Sequence, residues 1–227
     1  MNTIMNIDCM EYMKTMDVGS VNVTLTDIPY TEVNRTYKRN TPVLRSLNKM
    51  EADIMTFNLS DFLKEVYRIT SGTIIIFCGK QQFSDIYKYF SDTSSDDGGT
   101  VRQIIWEKTN PSPMNGKMIY LSGIENAVWF RKPNATFNAF CKNTVFHYPS
   151  GTSNIHPTEK NHNLLKELIV DNSNEGDIIF DPCAGSGSHL LCAKELRRKY
   201  LGCELNPEWC KIANDRLEKC RAQFSLF

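Results

Sequence analysis

Two stretches of the sequence combine residue types that chemistry requires. Asp181-Pro182-Cys183-Ala184-Gly185-Ser186-Gly187-Ser188 follows an apolar, strand-like run and opens a helical pattern. Two glycines in such a turn let a ligand approach the backbone, and the crevice beyond a strand's carboxyl end is where an open α/β sheet receives nucleosides. The third glycine of G-x-G-x-x-G is missing and no G-K-[ST] follows, so pyrophosphate and nucleoside-triphosphate binding are disfavoured. Glu204 ends the next strand-like run, roughly 20 residues on, where a carboxylate can accept from both hydroxyls of a ribose. Alone, the turn is a tight strand-to-helix connection and the acid a solvated strand end; together they point to a nucleoside cofactor. Asp27-Ile28-Pro29-Tyr30 leaves another apolar run with an acid, a turn-fixing proline and an aromatic ring in four residues. By itself it is a common turn.

The elements that must carry these stretches are legible as short β-branched runs at 21–25, 73–77, 101–106, 127–130, 177–180 and 200–203, several alternating with helical patterns. That alternation predicts an α/β sheet. Helices are expected over 189–198 and 207–220, the latter capped by Asn206 with Pro207 in its first turn. A long polar stretch, 31–57, and the Ser/Asp/Gly-rich 91–99 read as loops. A short strand at 3–7 has no neighbour in sequence, and no strand follows the last helix. Pairing strand 3–7 with the last strand closes one sheet.

Of the 227 residues, 41% are hydrophobic and 23% charged, an ordinary globular composition for one large domain that buries roughly 70–75% of its unfolded surface. Formal net charge is +0, so any attraction to nucleic acid must come from a local cluster. The eight cysteines include no C-x-x-C pair, which argues against a zinc site and for reduced thiols in a cytoplasmic protein. No run approaches the roughly 20 apolar residues of a membrane span, and the first residues lack a secretory pattern.

Taken in order, these segments resemble the amino-group DNA methyltransferases. Asp181–Ser188 is similar to that family's D-P-F-x-G-S-G-T cofactor loop, with Cys183 for phenylalanine and Ser188 for threonine; the resemblance gives Asp181, Cys183, Ala184, Gly185, Ser186 and Gly187 to S-adenosylmethionine. It likewise gives Glu204 to the ribose, and Asp8, in Ile7-Asp8-Cys9-Met10-Glu11-Tyr12, to the adenine amine of the cofactor. His156-Pro157-Thr158-Glu159-Lys160 resembles H-P-T-x-K, placing His156, Thr158 and Lys160 against the methionine part. Asp27-Ile28-Pro29-Tyr30 resembles the catalytic D-P-P-Y tetrapeptide, with isoleucine for the first proline. An amine conjugated to a base is a poor nucleophile; Asp27 and the Ile28 carbonyl, accepting its hydrogens, favour a pyramidal nitrogen, Pro29 fixes the turn, and Tyr30 stacks on a base taken out of the helix. Segments 106–111 and 125–132 resemble those lining the target-base pocket. The catalytic segment precedes the cofactor loop, as in the beta group, which implies a single, doubly wound, Rossmann-like sheet that is circularly permuted.

By the same resemblance, Asp rather than Ser at position 27 implies methyl transfer to the exocyclic amine of adenine in DNA; the physical argument holds for either amine, and cytosine is the alternative base. Arg35, Lys38, Arg39, Arg45 and Lys49, just after Tyr30, are candidates for neutralising phosphates beside a flipped base, or form a solvated basic loop. The interval between 106 and 156 is short, so no separate recognition domain is expected. Specificity then comes from the insertion at 31–57 or from a second subunit, as a homodimer or a heteromer. Two other classes remain: a non-catalytic subunit supporting an active partner, and a nicotinamide-dependent oxidoreductase, which leaves Asp27–Tyr30 unexplained.

Overall fold

The computed structural model describes residues 2–30, 55–111, 117–118, 120–150 and 159–220. Its strands are β1 (Thr3–Met5), β2 (Val21–Asp27), β3 (Thr70–Cys78), β4 (Thr100–Lys108), β5 (Ile124–Arg131), β6 (Val145–Tyr148), β7 (Ile178–Asp181) and β8 (Lys199–Cys203). They form one sheet in the order β1-β8-β7-β2-β3-β5-β4-β6. β5 runs antiparallel to β3 and β4, and the remaining pairs are parallel. The central strands read as continuous apolar runs because both faces are covered. Helices α1 (Cys9–Lys14), α2 (Leu59–Ile69) and α3 (Lys80–Asp97) bury Met13, Phe62, Val66 and Phe90 on one face. On the other face, α4 (His162–Asn172), α5 (Ser188–Glu195) and α6 (Pro207–Lys219) bury Leu164, Leu168, Leu190 and Ala213.

The strand order reverses between β7 and β2. From β7 the chain runs outward to β8, beside which β1 from the start of the chain is added, and from β2 it runs the other way to β3. The crevice outside the carboxyl ends at such a switch point is where open α/β sheets bind ligands. The permuted order predicted from the sequence is realised there: β1 pairs in parallel with β8, Thr3 opposite Leu201 and Met5 opposite Cys203. Asn214 on α6 clamps that edge, its Oδ1 accepting from Ile4 N at 3.2 Å and its Nδ2 donating to Ile4 O at 2.8 Å. No helix among the described residues is long and apolar enough to cross a membrane.

One local expectation is corrected. Residues 91–97, read as a loop from their serines and aspartates, continue α3, which ends at Gly98 in the left-handed conformation. The hydroxyls of Thr93 and Ser95 donate to the carbonyls of Tyr89 and Ser91 one turn back, so the polar side chains are used within the helix instead of breaking it. The stretch 70–73 begins β3: Thr70 caps α2 in extended conformation and the chain passes directly into the strand. Strand β6 carries no clear sequence signal and forms by parallel addition to β4.

Candidate active site

Asp27 ends β2 at the switch point, and the tetrapeptide that follows is fixed by its neighbours. The Ile28 amide, which the family's usual proline would not possess, donates to Phe77 O at 3.2 Å and extends the β2–β3 ladder. Its side chain is buried. Substituting isoleucine for proline therefore leaves no orphaned donor. Pro29 O accepts from Gln82 Nε2 at 2.9 Å, and Gln82 Oε1 in turn accepts from Gly79 N at 3.0 Å, so α3 holds the turn.

Lys160 occupies the centre of the site. Its side chain is 4% exposed, and its ammonium lies 2.5 Å from Asp27 Oδ2, 2.9 Å from Glu125 Oε2 and 3.3 Å from the Tyr30 hydroxyl. The sequence assigns Lys160 to the methionine part of the cofactor; the structure places its ammonium on the catalytic tetrapeptide, where two half-buried carboxylates share it as a counter-ion. Lys108 adds a second cation, 2.6 Å from Glu125 Oε1. Burial favours the neutral amine of Lys160, but Asp27 and Glu125 outweigh it and raise its pKa. Burial likewise pushes the Glu125 carboxyl up, and the two ammonium groups overcome it and hold it below the usual range. Burial, with Asp27 and Glu125 nearby, keeps the Tyr30 phenol protonated far above its ordinary range. Asp27 Oδ1 is buried and has no hydrogen-bond partner among the described residues. One carboxylate oxygen is thus tied down by Lys160 while the other is an unspent acceptor.

The loop after β7 is folded by its own amides. Ala184 N donates to Cys203 O at 2.9 Å, Gly187 N to Ala184 O at 2.7 Å, and Gly185 N to Glu204 Oε2 at 2.8 Å. Gly185 and Gly187 have φ of +50° and +79°. A Cβ on Gly187 would lie 3.0 Å from Ala213 Cβ, whereas one on Gly185 would meet nothing within 4 Å. Gly187 is therefore required by packing, and Gly185 opens the space above the loop to a ligand. Arg216 donates to Ser186 O at 2.7 Å and to Glu159 Oε1 at 2.7 Å, which also accepts from Ser188 Oγ at 2.5 Å; this ties the segment bearing Lys160 to the loop.

Glu204, past β8, is placed by its own amide, which donates to Met5 O at 2.9 Å, so β1 fixes the acid. Its second oxygen accepts from Asn206 N at 2.8 Å; burial raises its pKa, and the amides of Asn206 and Gly185 partly oppose that. Asp8 caps α1 by accepting from Met10 N at 2.8 Å and lies at the same edge. Asp181, given to the cofactor by the sequence, ends β7. Its carboxylate is fully buried, accepting from Cys183 N at 3.0 Å and lying 2.6 Å from His189 Nδ1, so both oxygens are engaged within the protein. Glu125, Glu159, His189 and Arg216 were not singled out from the sequence, because their partners sit on other elements, Tyr30 95 residues from Glu125 and Arg216 57 from Glu159, and no local spacing signals them. His156, Thr158, Arg35, Lys38, Arg39, Arg45 and Lys49 lie outside the described residues.

The residues present fit a nucleoside cofactor with a transferable group. An open backbone approach at Gly185, a carboxylate at Glu204 and an unpaired acceptor at Asp27 stand along one edge of adjacent strands. Comparison with known proteins identifies the group. A family model described as DNA methylase, of the N6 and N4 amino type, matches residues 21–215. The type II methyltransferase M.HinfI of Haemophilus influenzae is 26% identical over an alignment covering 97% of this chain and 69% of its own length. The crystal structure of the M1.HpyAVI–SAM complex superposes with a TM-score of 0.70 at 26% identity, covering 96% of this chain and all of that one (100%). The cytosine-N4-specific PvuII DNA methyltransferase shares the fold, with a TM-score of 0.69 at 16% identity over 98% of this chain and 89% of that one. The cofactor is S-adenosylmethionine, and the chain, an S-adenosylmethionine-dependent DNA amino-methyltransferase, belongs to the N6/N4 DNA methylase family.

Proposed function

We propose that the protein methylates the exocyclic N6 amine of adenine in DNA. The single observation that carries this reading is the asymmetry of Asp27. Oδ2 is fixed at 2.5 Å by a buried ammonium while Oδ1 is buried and unpartnered, an acceptor set for one N–H of an incoming amine. S-adenosylmethionine supplies a methyl group on a sulfonium, which is already a good leaving group. What the protein adds is position and hydrogen bonding. Asp27 Oδ1 and the Ile28 carbonyl accept the two amine hydrogens and turn the nitrogen lone pair out of conjugation, while the Tyr30 ring stacks on the flipped base. The nitrogen–carbon bond forms as the carbon–sulfur bond breaks, and the surplus amine proton leaves toward Asp27. Lys160 and Glu125 hold this geometry without touching the reacting atoms.

In this reading the chain is one catalytic domain with no separate recognition domain, and the basic stretch 31–57 contacts the phosphates flanking the base. The adenine assignment rests on the Asp at position 27; the same acceptor geometry serves the N4 amine of cytosine, which is the competing reading. The test is transfer of labelled methyl to DNA by the purified protein, followed by digestion and separation of the nucleosides. N6-methyladenine is expected, and N4-methylcytosine as the labelled product overturns the choice of base. Asp27→Ala is expected to lower transfer by at least about 10²–10³-fold while binding of S-adenosylhomocysteine is preserved. Undiminished transfer in that variant removes Asp27 from the mechanism, and complete inactivity of the wild type despite cofactor binding favours a non-catalytic subunit.

A further inference from the structure

The Asp181–His189 pair is not used by the chemistry above. His189, the second residue of α5, is 5% exposed, and its Nδ1 lies 2.6 Å from Asp181 Oδ2. Its other nitrogen, Nε2, is buried and has no hydrogen-bond partner among the described residues. A buried imidazole nitrogen without a partner costs about 1–3 kcal/mol, so its persistence calls for an explanation. The ring stands against Phe77, centroids 6.5 Å apart and planes 9° off parallel; Lys160 Nζ lies 5.3 Å from the centroid of that same Phe77 ring. One phenylalanine therefore separates His189 from the catalytic cluster. Leu25, Phe77 and Ile179 share one core with the helices of the His189 face, so His189 lies on the side of the sheet toward which Lys160 approaches Asp27.

We infer that His189 Nε2 is the acceptor for the α-ammonium of the amino-acid end of S-adenosylmethionine. The inference rests on the cofactor lying over the 182–187 loop. The methyl group must face Asp27 and the ribose lies toward Glu204, so the amino-acid arm has to leave the sulfur toward one face of the sheet. Its α-nitrogen is four bonds from sulfur, a reach of about 5 Å. The contact of Nδ1 with Asp181 Oδ2 at 2.6 Å places a proton on Nδ1, so that in the tautomer carrying this single proton Nε2 is the acceptor. A carboxylate with a neutral imidazole carries one net negative charge, which attracts an ammonium and repels a carboxylate. Asp181 thereby serves the cofactor through His189, and the engagement of both its oxygens inside the protein is accounted for.

The test compares S-adenosylhomocysteine, which keeps the amino-acid end, with 5′-methylthioadenosine, which lacks it, by titration calorimetry. His189→Leu is expected to weaken S-adenosylhomocysteine by at least about tenfold, the worth of one charge-assisted hydrogen bond, and to leave 5′-methylthioadenosine unchanged. His189→Gln, whose amide oxygen can accept, is expected to restore most of the loss. Equal loss for both ligands makes His189 merely structural, and no loss for either also overturns the inference. A loss that persists with the deaminated analogue of S-adenosylhomocysteine assigns the carboxylate end instead of the ammonium. If the variants fail to fold, the wild type answers alone: the sequence holds 4 histidines, and the ¹⁵N shift of one Nε2 must respond to S-adenosylhomocysteine and not to 5′-methylthioadenosine. Failure of the wild type to bind either ligand is a different result, which removes the cofactor from this crevice altogether.

Discussion

Replacing Lys160 by methionine keeps the length of the side chain and removes its charge. In the wild type the ammonium neutralises Asp27 at 2.5 Å and Glu125 at 2.9 Å, and Lys108 at 2.6 Å is a second cation for Glu125. Lys160→Met leaves both carboxylates around an apolar tip with one cation between them. Breaking a buried pair by removing one partner costs about 3–5 kcal/mol. The Asp27 side chain is 24% exposed and can recruit water, which favours the lower end, about 3 kcal/mol. For a domain of this size that lowers Tm by roughly 6–12 °C. The sign of the pH dependence follows from Glu125, whose folded pKa is lowered from the usual 4.5. Its contribution is present above the unfolded value and is lost as pH falls through the folded one. Glu125's share of the gap between wild type and Lys160→Met is therefore full at pH 7 and is lost as pH falls below about 4.5. Melting curves at pH 7 and pH 4 measure it. Adding Glu125→Gln to Lys160→Met is expected to recover part of the loss, because the cluster then holds one carboxylate and one ammonium instead of two carboxylates and one ammonium. Methylation by Lys160→Met falls as well, since Asp27 is no longer held, by about 10²-fold for a displacement near 1 Å. A Tm within about 2 °C of wild type at pH 7, or a double variant less stable than the single one, refutes this account of the cluster.

The two loop glycines separate folding from binding. Gly187→Ala forces a side chain at φ +79° to within 3.0 Å of Ala213 and is expected to cost about 2 kcal/mol or more, read as a lowered Tm. Gly185→Ala, at φ +50° with open space around the new methyl group, is expected to cost about 1–2 kcal/mol of stability but to weaken S-adenosylhomocysteine strongly, as measured by calorimetry. Unchanged affinity removes Gly185 from the ligand's path. Asn214→Ala takes away both hydrogen bonds to Ile4; a loss of about 1–2 kcal/mol is expected, with hydrogen exchange accelerated first in β1 and around Glu204.

The identities of the chemical groups were written in the sequence because each is announced by its neighbours in the chain. The glycine turn after an apolar run, the acid ending the next strand and the Asp-Ile-Pro-Tyr exit are local patterns, and local backbone geometry realises them where they stand. One pairing of the sheet was legible as well, since the short strand at 3–7 was expected beside the last strand, and β1 pairs there with β8. Polar composition misled where it was used alone: 91–97 is helical because its hydroxyls bond back to the preceding turn, which composition does not reveal. What only the tertiary structure decided is how charges are shared. Lys160 and Asp27 are 133 residues apart, Tyr30 and Glu125 are 95 apart, and nothing along the chain says that one ammonium will serve two acids. The sequence could name Asp181 as a cofactor residue, but only packing at the end of β7 brings His189 onto it and leaves a second nitrogen unspent. Local patterns fix which groups exist, because they act through the backbone over a few residues. Burial decides which of those groups must pair, because the cost of an uncompensated charge depends on every element around it.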